Sequence, residues 1–407
     1  MRILYITYEN PYFPGGTGGQ TRQYCLLKHL SDRHEFHYIG PEVSGFELSK
    51  LQEIFKTVIM PPQTLLNMAT HFLTVRIPHQ YPRLVQMFEG QRAIIKPLIK
   101  GALKQCDYDI IHVEHTNIAH WLHEIDCNVP KILVAQNLKT KMWERYWQQA
   151  SEKDKKQFYR DYERFKSYEG KYFKDYDAIV TVSDIDKALI KDVYTCSTPL
   201  YVVPNGVDLE YFDMSETDIE PDTLVFTGSM GHPPNNEAVL HFCKGIFKNI
   251  CKIKPASRLF IVGSNPSDEV KTLANGHNIF VTGYVEDTRP YIGIASVVIV
   301  PLLSGSGTRL KIMESMGMGK AIVSTSIGAE GIEYTAGKNI LIADGAAEFA
   351  TSVIDLMDNI KKAEEMGRNA RILVEEKYSW KILANRLDSV YKSFEKMNKD
   401  RSPISVS

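Results

Sequence analysis

The stretch Val297-Val-Ile-Val-Pro-Leu-Leu-Ser-Gly-Ser-Gly-Thr-Arg-Leu-Lys-Ile-Met-Glu314 decides the fold. Its four leading β-branched residues, with no polar interruption, read as a strand buried on both faces, which is the pattern of a parallel sheet covered by helices. A glycine-bearing loop from Ser304 to Gly307 then opens a helical run. Such a strand, loop and helix form one half of a βαβ unit, and the loop presents free backbone N–H groups at the start of the helix.

Outward from this stretch the same alternation recurs. Ile3–Thr7, Asp109–Val113, Lys131–Ala135 and Ala178–Val182 read as strands before the link Val203-Pro-Asn-Gly-Val-Asp208. Leu224–Thr227, Leu259–Val262, Ile279–Thr282, Val297–Val300, Ala321–Ser324 and Ile340–Ile342 follow it. The fold class is therefore α/β, with two Rossmann-like domains and parallel sheets, and 407 residues exceed what one core usually holds. The expected divisions are residues 1–203, residues 204–378, an amphipathic terminal helix over 379–397 and a frayed tail over 398–407. Within the first domain, Pro61, Pro62, Pro78 and Pro82 break an apolar stretch, so 61–106 is read as an insertion and not as one regular helix.

Composition removes several classes of function. With 43% hydrophobic and 24% charged residues the chain is globular, and a formal charge of −1 does not suit non-specific nucleic-acid binding. Any anion site must then be local. The six cysteines are scattered, without zinc-site pairing or disulfide density, as expected of reduced thiols in the cytoplasm. The amino terminus runs directly into a strand pattern, and no long apolar run follows. A cytoplasmic location is expected, with one qualification at the inner face of the membrane. Arg92, Lys96, Lys100 and Lys104 recur every four residues and form a basic stripe if helical. That stripe is either a solvated face or a peripheral docking surface for anionic membrane headgroups or a diphosphate-linked acceptor.

The chemistry concentrates after the quoted strand. Arg309 and Lys311 fall in the first turn of a helix, where positive charge opposes the helix dipole. A bound diphosphate resolves the conflict, held by both cations, by the amides around Gly307 and by a helix start that Thr308 is suited to cap. Glu314 lies one and a half turns on, in reach of ribose hydroxyls. A second glycine loop, Pro14-Gly-Gly-Thr-Gly-Gly-Gln-Thr-Arg22, follows the first strand and precedes a helical pattern from Tyr24 to Leu30. It misses the dinucleotide fingerprint, because the last glycine position is occupied by Thr21, and a nicotinamide enzyme is disfavoured. The triplets Asp107-Tyr-Asp109 and Asp175-Tyr-Asp177 immediately precede strands and are read as turn residues, so no required metal is expected. At the far end of those strands stand Glu114, His115, Asn117, Gln136 and Asn137. His115 is the acid/base or hydroxyl-orienting candidate, with Asn137 beside it, and His112 is read as core.

These segments resemble the large group of retaining GT-B glycosyltransferases called family 4 or group 1. The resemblance rests on the early glycine loop, Val203–Asp208, Phe226-Thr-Gly-Ser-Met230, Val281-Thr-Gly-Tyr-Val-Glu-Asp287 and Pro301 through Gly331, most specifically Met313 to Gly331. It implies two sheets facing across an interdomain cleft, the first domain on the acceptor side with 61–106 over the cleft, the second binding the donor, and the terminal helix crossing back. It implies transfer of a hexosyl group from a nucleoside diphosphate sugar to a hydroxyl acceptor, with retention, in polysaccharide or glycolipid assembly. The donor is then a co-substrate and no cofactor is required. By the likeness Gly16, Arg309 and Lys311 hold the diphosphate, Glu314 the ribose, and Tyr284 and Val285 lie near the base. Three departures stand out. Ser306 occupies the position where many members pair a second glutamate with Glu314. Ser229, Met230, Asn235 and Asn236 stand where many have Arg and Lys, and Arg309 and Lys311 are read as supplying that charge. Gln136-Asn137 replaces a His-Asn pair. They keep two further readings open: a nucleotide-sugar-binding protein without transferase activity, and a GT-B nucleotide-sugar epimerase.

Overall fold

The computed structural model describes residues 1–62, 64–65, 82–214, 218–305 and 309–400. The chain divides into two compact units, Met1–Pro204 with Leu383–Ser407, and Asn205–Ile382.

Unit 1 holds a seven-stranded parallel sheet ordered β3-β2-β1-β4-β5-β6-β7. The strands are β1 (Arg2–Ile6), β2 (Glu35–Ile39), β3 (Phe55–Ile59), β4 (Ile110–Glu114), β5 (Lys131–Ala135), β6 (Ala178–Thr181) and β7 (Leu200–Val202). Helices α1 (Gly18–Leu30), α2 (Gly45–Ile54), α3 (Arg83–Gln105), α4 (Lys139–Gln149), α5 (Glu152–Tyr172) and α6 (Asp184–Tyr194) connect them. Unit 2 holds a six-stranded sheet ordered β10-β9-β8-β11-β12-β13, also parallel. Its strands are β8 (Thr223–Thr227), β9 (Arg258–Val262), β10 (Ile279–Gly283), β11 (Val297–Val300), β12 (Ile322–Ser324) and β13 (Leu341–Ile342). Its helices are α7 (Pro233–His241), α8 (Lys248–Ile253), α9 (Asp268–Lys271), α10 (Arg289–Ile294), α11 (Leu310–Gly317), α12 (Ala346–Asp358) and α13 (Ile360–Lys377). The last helix, α14 (Trp380–Asp400), runs three residues past the sequence boundary and belongs to unit 1 from Leu383 on. In each sheet the connections reverse direction at one place, between β1 and β4 and between β8 and β11. Such reversals open a crevice at the carboxyl edge of an α/β sheet.

The stretch read as an insertion contains, over Arg83–Gln105, one 23-residue helix that continues through Pro97 and carries the four basic residues of the stripe. Pro97 sits on the exposed face, while Val85, Ile95, Ile99 and Ala102 are buried in the unit 1 core, and that packing outweighs the lost hydrogen bond. The part of the insertion at 63 and 66–81 lies outside the described residues, as does the tail from 401. Helix α1 begins at Gly18 and not near Tyr24, because Thr17 and Gln20 form a reciprocal capping box, Gln20 N to Thr17 Oγ1 at 3.2 Å and Thr17 N to Gln20 Oε1 at 2.9 Å.

The Asp triplets are engaged at the amino-terminal edge of the sheet. Asp109 Oδ2 accepts the Arg2 N–H at 2.7 Å and Asp177 Oδ2 that of Lys131 at 2.9 Å, so each carboxylate caps the first amide of a neighbouring strand. In the basic stripe, Arg92 and Lys96 meet Glu124 at 3.3 and 3.1 Å, which leaves Lys100 and Lys104 as its exposed part.

Candidate functional site

The carboxyl edge of the unit 2 sheet gathers one constellation. Strand β8 ends in Thr227-Gly228 and β9 in Val262-Gly263, both glycines lying at positive φ, +145° and +149°. A β-carbon on Gly263 would come within 1.9 Å of Gly228 O, so the two backbones touch only because Gly263 has no side chain. Gly263→Ala is therefore expected to destabilise the protein by about 1–3 kcal/mol, read as a lower urea midpoint.

Lys311 has room because Gly228 lacks a β-carbon. Its side chain leaves the first turn of α11 and brings Nζ to 2.8 Å from Asn235 Oδ1 and 4.0 Å from the centre of the Phe226 ring. A β-carbon on Gly228 would be 2.7 Å from the same nitrogen. Asn235 is fixed in turn by donating Nδ2 to Ser229 O at 2.8 Å. Desolvation, then the positive charge of Arg309, lowers the Lys311 ammonium to about 7, against a smaller opposing pull from Glu314. Burial raises Glu314 to about 7, with Lys311 again opposing. The two residues stand three apart on one face of α11, each only half-buried, and each close to its switching point near neutral pH.

Arg309 is the N-cap residue of α11, extended at φ −89° and ψ 105°, so it precedes the helix instead of occupying its first turn. Gly305, at φ +115°, leaves space that a β-carbon would take 3.0 Å from Arg309 Nη2. Ser306, Gly307 and Thr308 lie outside the described residues. Past β10, Tyr284 is 71% exposed and Val285 partly buried. Arg289 stacks 3.8 Å over Tyr211 and holds Asp287 through hydrogen bonds of 2.7 to 3.0 Å.

In unit 1 the carboxyl edge carries a second constellation. His115, just after β4, has φ +77°, a conformation a histidine adopts only when its surroundings enforce it. Its Nε2 lies 2.7 Å from Glu9 Oε1, and its ring packs 4.6 Å from that of Tyr8. Gln23 of α1 donates to Glu9 Oε1 at 3.2 Å and sits 3.3 Å from His115 Nε2. A β-carbon on Gly19 would fall 2.2 Å from Glu9 Oε1 and 3.1 Å from both Gln136 Oε1 and His115 Cε1. Glu9, His115 and Gln136 thus converge over the first turn of α1. Gln136 is tied by its Nε2 to Glu114 Oε1 at 2.5 Å. Asn137 accepts the Thr116 hydroxyl on its carbonyl at 3.4 Å, and the residue brought against the His115 imidazole is Glu9. Gly16 has a local reason: a β-carbon would sit 2.6 Å from Tyr12 O. His112 is buried as read, yet it is hydrogen-bonded on both ring nitrogens.

Two parallel sheets, each with side chains gathered at the carboxyl edge of its reversal point, define the GT-B fold. An Anabaena protein, HepE, solved with UDP and glucose, shares it at a TM-score of 0.69 and 12% identity, over 96% of this chain and 99% of that one. Residues 16–211 match the family model described as Glycosyltransferase Family 4, and residues 221–359 the model described as Glycosyl transferases group 1. The chain thus has the GT-B fold, and each of its two units matches a glycosyltransferase domain model. Among curated relatives, an uncharacterised 44.6 kDa protein of the cps region of Klebsiella pneumoniae is 26% identical over 42% of this chain and 46% of its own length. A phosphatidyl-myo-inositol mannosyltransferase of Mycolicibacterium smegmatis is 26% identical over 47% of this chain and 51% of its own. The chain spans about half the length of the curated relatives it matches.

Proposed function

We propose that this protein transfers a hexosyl group from a nucleoside diphosphate sugar to a hydroxyl acceptor, with retention at the anomeric carbon. One observation carries the reading: a lysine ammonium, Lys311, held at the end of β8 with Arg309 beside it and brought down to about 7 by desolvation and that like charge. A diphosphate placed there sets negative charge against both cations and is stabilised most as the bond to the sugar breaks and the leaving group gains charge. Glu314 takes the ribose hydroxyls, and the base lies towards Tyr284 and Val285. In unit 1 the Glu9–His115 pair orients the acceptor hydroxyl. The matched mannosyltransferase and the neighbour solved with UDP support a nucleotide-sugar donor, and the cps-region relative supports a polysaccharide or glycolipid precursor as acceptor. No cofactor is called for, and membrane contact, if it accompanies turnover, falls on Lys100 and Lys104.

Calorimetry of donor binding tests the reading. A nucleotide sugar has a fully ionised diphosphate at both pH 6 and pH 8, so proton exchange reports on the protein. At pH 8 the free Lys311 ammonium, at about 7, is largely deprotonated, and binding must return roughly one proton to it. At pH 6 Lys311 already holds its proton while Glu314, also at about 7, holds one that ribose donors displace. Uptake at pH 8 turning to release at pH 6 is expected, and proton-neutral binding at both would contradict it. In the same assays Arg309→Ala is expected to reduce donor-dependent turnover by about 10²-fold. Binding without transfer to any hydroxyl acceptor would mark a nucleotide-sugar-binding protein, and donor conversion with no acceptor an epimerase.

A further inference from the structure

The terminal helix α14 is clasped to unit 1 by Asp388, which accepts Arg33 at 2.9 Å, His34 at 2.8 Å and Lys392 at 2.9 Å. One turn along, the buried Tyr391 reaches past this clasp into the sheet, where its hydroxyl meets His112 Nδ1 at 2.8 Å. His112 Nε2 lies 2.7 Å from Glu114 Oε2, and the carboxylate, an acceptor only, fixes the tautomer: Nε2 carries the proton and Nδ1 accepts from Tyr391. Glu114 Oε2 also accepts the Tyr5 hydroxyl at 3.0 Å, and Oε1 accepts Gln136 Nε2 at 2.5 Å. The one Tyr5 proton is shared between Glu114 and Gln23 Oε1, 3.1 Å away, and Gln23 Nε2 donates at 3.2 Å to Glu9 Oε1, the oxygen that faces His115 Nε2 at 2.7 Å.

We infer that Tyr391 is a positioning residue: through His112, Glu114, Tyr5, Gln23 and Glu9 its hydroxyl sets the orientation of His115 and Gln136 at the carboxyl edge of unit 1. From Tyr391 to Gln23 every group along this line is buried and directional, and together they hold each other to one arrangement. Burial works against the charge on Glu114, yet the His112 hydrogen bond and the Arg22 guanidinium help hold it down at about 2, so the acceptor at the centre of the network stays ionised. The part of this inference that concerns turnover rests on the proposed transferase activity. The part that concerns the imidazoles does not.

The test records long-range ¹H–¹⁵N spectra of the histidine rings in the full chain at pH 7, assigned with single His→Gln variants. Tyr391→Phe removes one hydroxyl and is expected to shift both the His112 Nδ1 and the His115 resonances. Tyr5→Phe, which cuts the line beyond Glu114, is expected to shift His115 and leave His112 Nδ1 in place. Arg33→Ala loosens the clasp without touching the line and is expected to move neither. If Arg33→Ala reproduces both shifts, the effect is helix docking alone and the inference falls. It falls equally if Tyr391→Phe moves only His112, or nothing. In turnover, Tyr391→Phe is expected to lower kcat about tenfold with the donor KM within about twofold. Linked shifts in a protein that transfers no sugar would overturn the transferase reading and leave the positioning role standing.

Discussion

Lys311→Met is expected to lower kcat/KM for the donor by about 10²–10³-fold while the free protein melts no lower than wild type. The first half follows from the loss of the cation nearest the end of β8. The second follows from the penalty that the same cation carries in the empty site. Folding takes the ammonium from its ordinary 10.5 down to about 7, so between those values the unfolded chain binds more protons at this position than the folded one. A group lowered in this direction destabilises fully below about pH 7, and its penalty fades as pH rises towards 10.5. Methionine keeps the stem over the Phe226 ring and removes the charge. The variant's gain in melting temperature is therefore largest on the acid side and shrinks with rising pH. Parallel loss of activity and stability would mean that Lys311 is a structural residue.

His115→Ala is expected to reduce kcat by about 10²-fold with donor affinity unchanged within about twofold, as fluorescence titration of nucleotide sugar would show. His115 sits in unit 1, at the carboxyl edge of β4, and its backbone is held at φ +77°. Alanine relieves that side chain's confinement without introducing bulk, so the loss reports on the imidazole itself. Glu9→Gln keeps shape and hydrogen bonding to Gln23 but removes the charge facing Nε2. An intermediate loss is expected there. An equal fall in donor affinity in either variant would move these residues from acceptor handling to donor binding.

The strands were legible where burial on both faces left an uninterrupted apolar run: the expected spans Lys131–Ala135 and Val297–Val300 coincide with β5 and β11. Strands β2, β3 and β7 gave no such run. Glu35 and His37 interrupt β2, and Lys56 and Thr57 of β3 are exposed. The carboxyl half of helix α3 was legible in basic residues four apart, but its start at Arg83 was not, because it follows a run of prolines and is set by packing of Val85, Ile95, Ile99 and Ala102 in the core. Arg309, Lys311 and Glu314 could be singled out because they lie close together along the chain beside a glycine loop. Glu9 could not, and Asn235 stood out only as a neutral residue where many family members carry a cation. They join their sites only through strand order and helix packing, which bring residues 9 and 115, or 235 and 311, to hydrogen-bonding distance across intervals no spacing rule covers.

The claim on which the rest depends is that the start of α11 at the end of β8 holds the diphosphate of the donor. The direct measurement is a crystal structure of the protein soaked with a nucleotide sugar. The account predicts phosphate oxygens within hydrogen-bonding distance of Lys311 Nζ and the Arg309 guanidinium, with ribose hydroxyls on Glu314. A well-ordered nucleotide elsewhere, with Lys311 still on Asn235 alone, would contradict it.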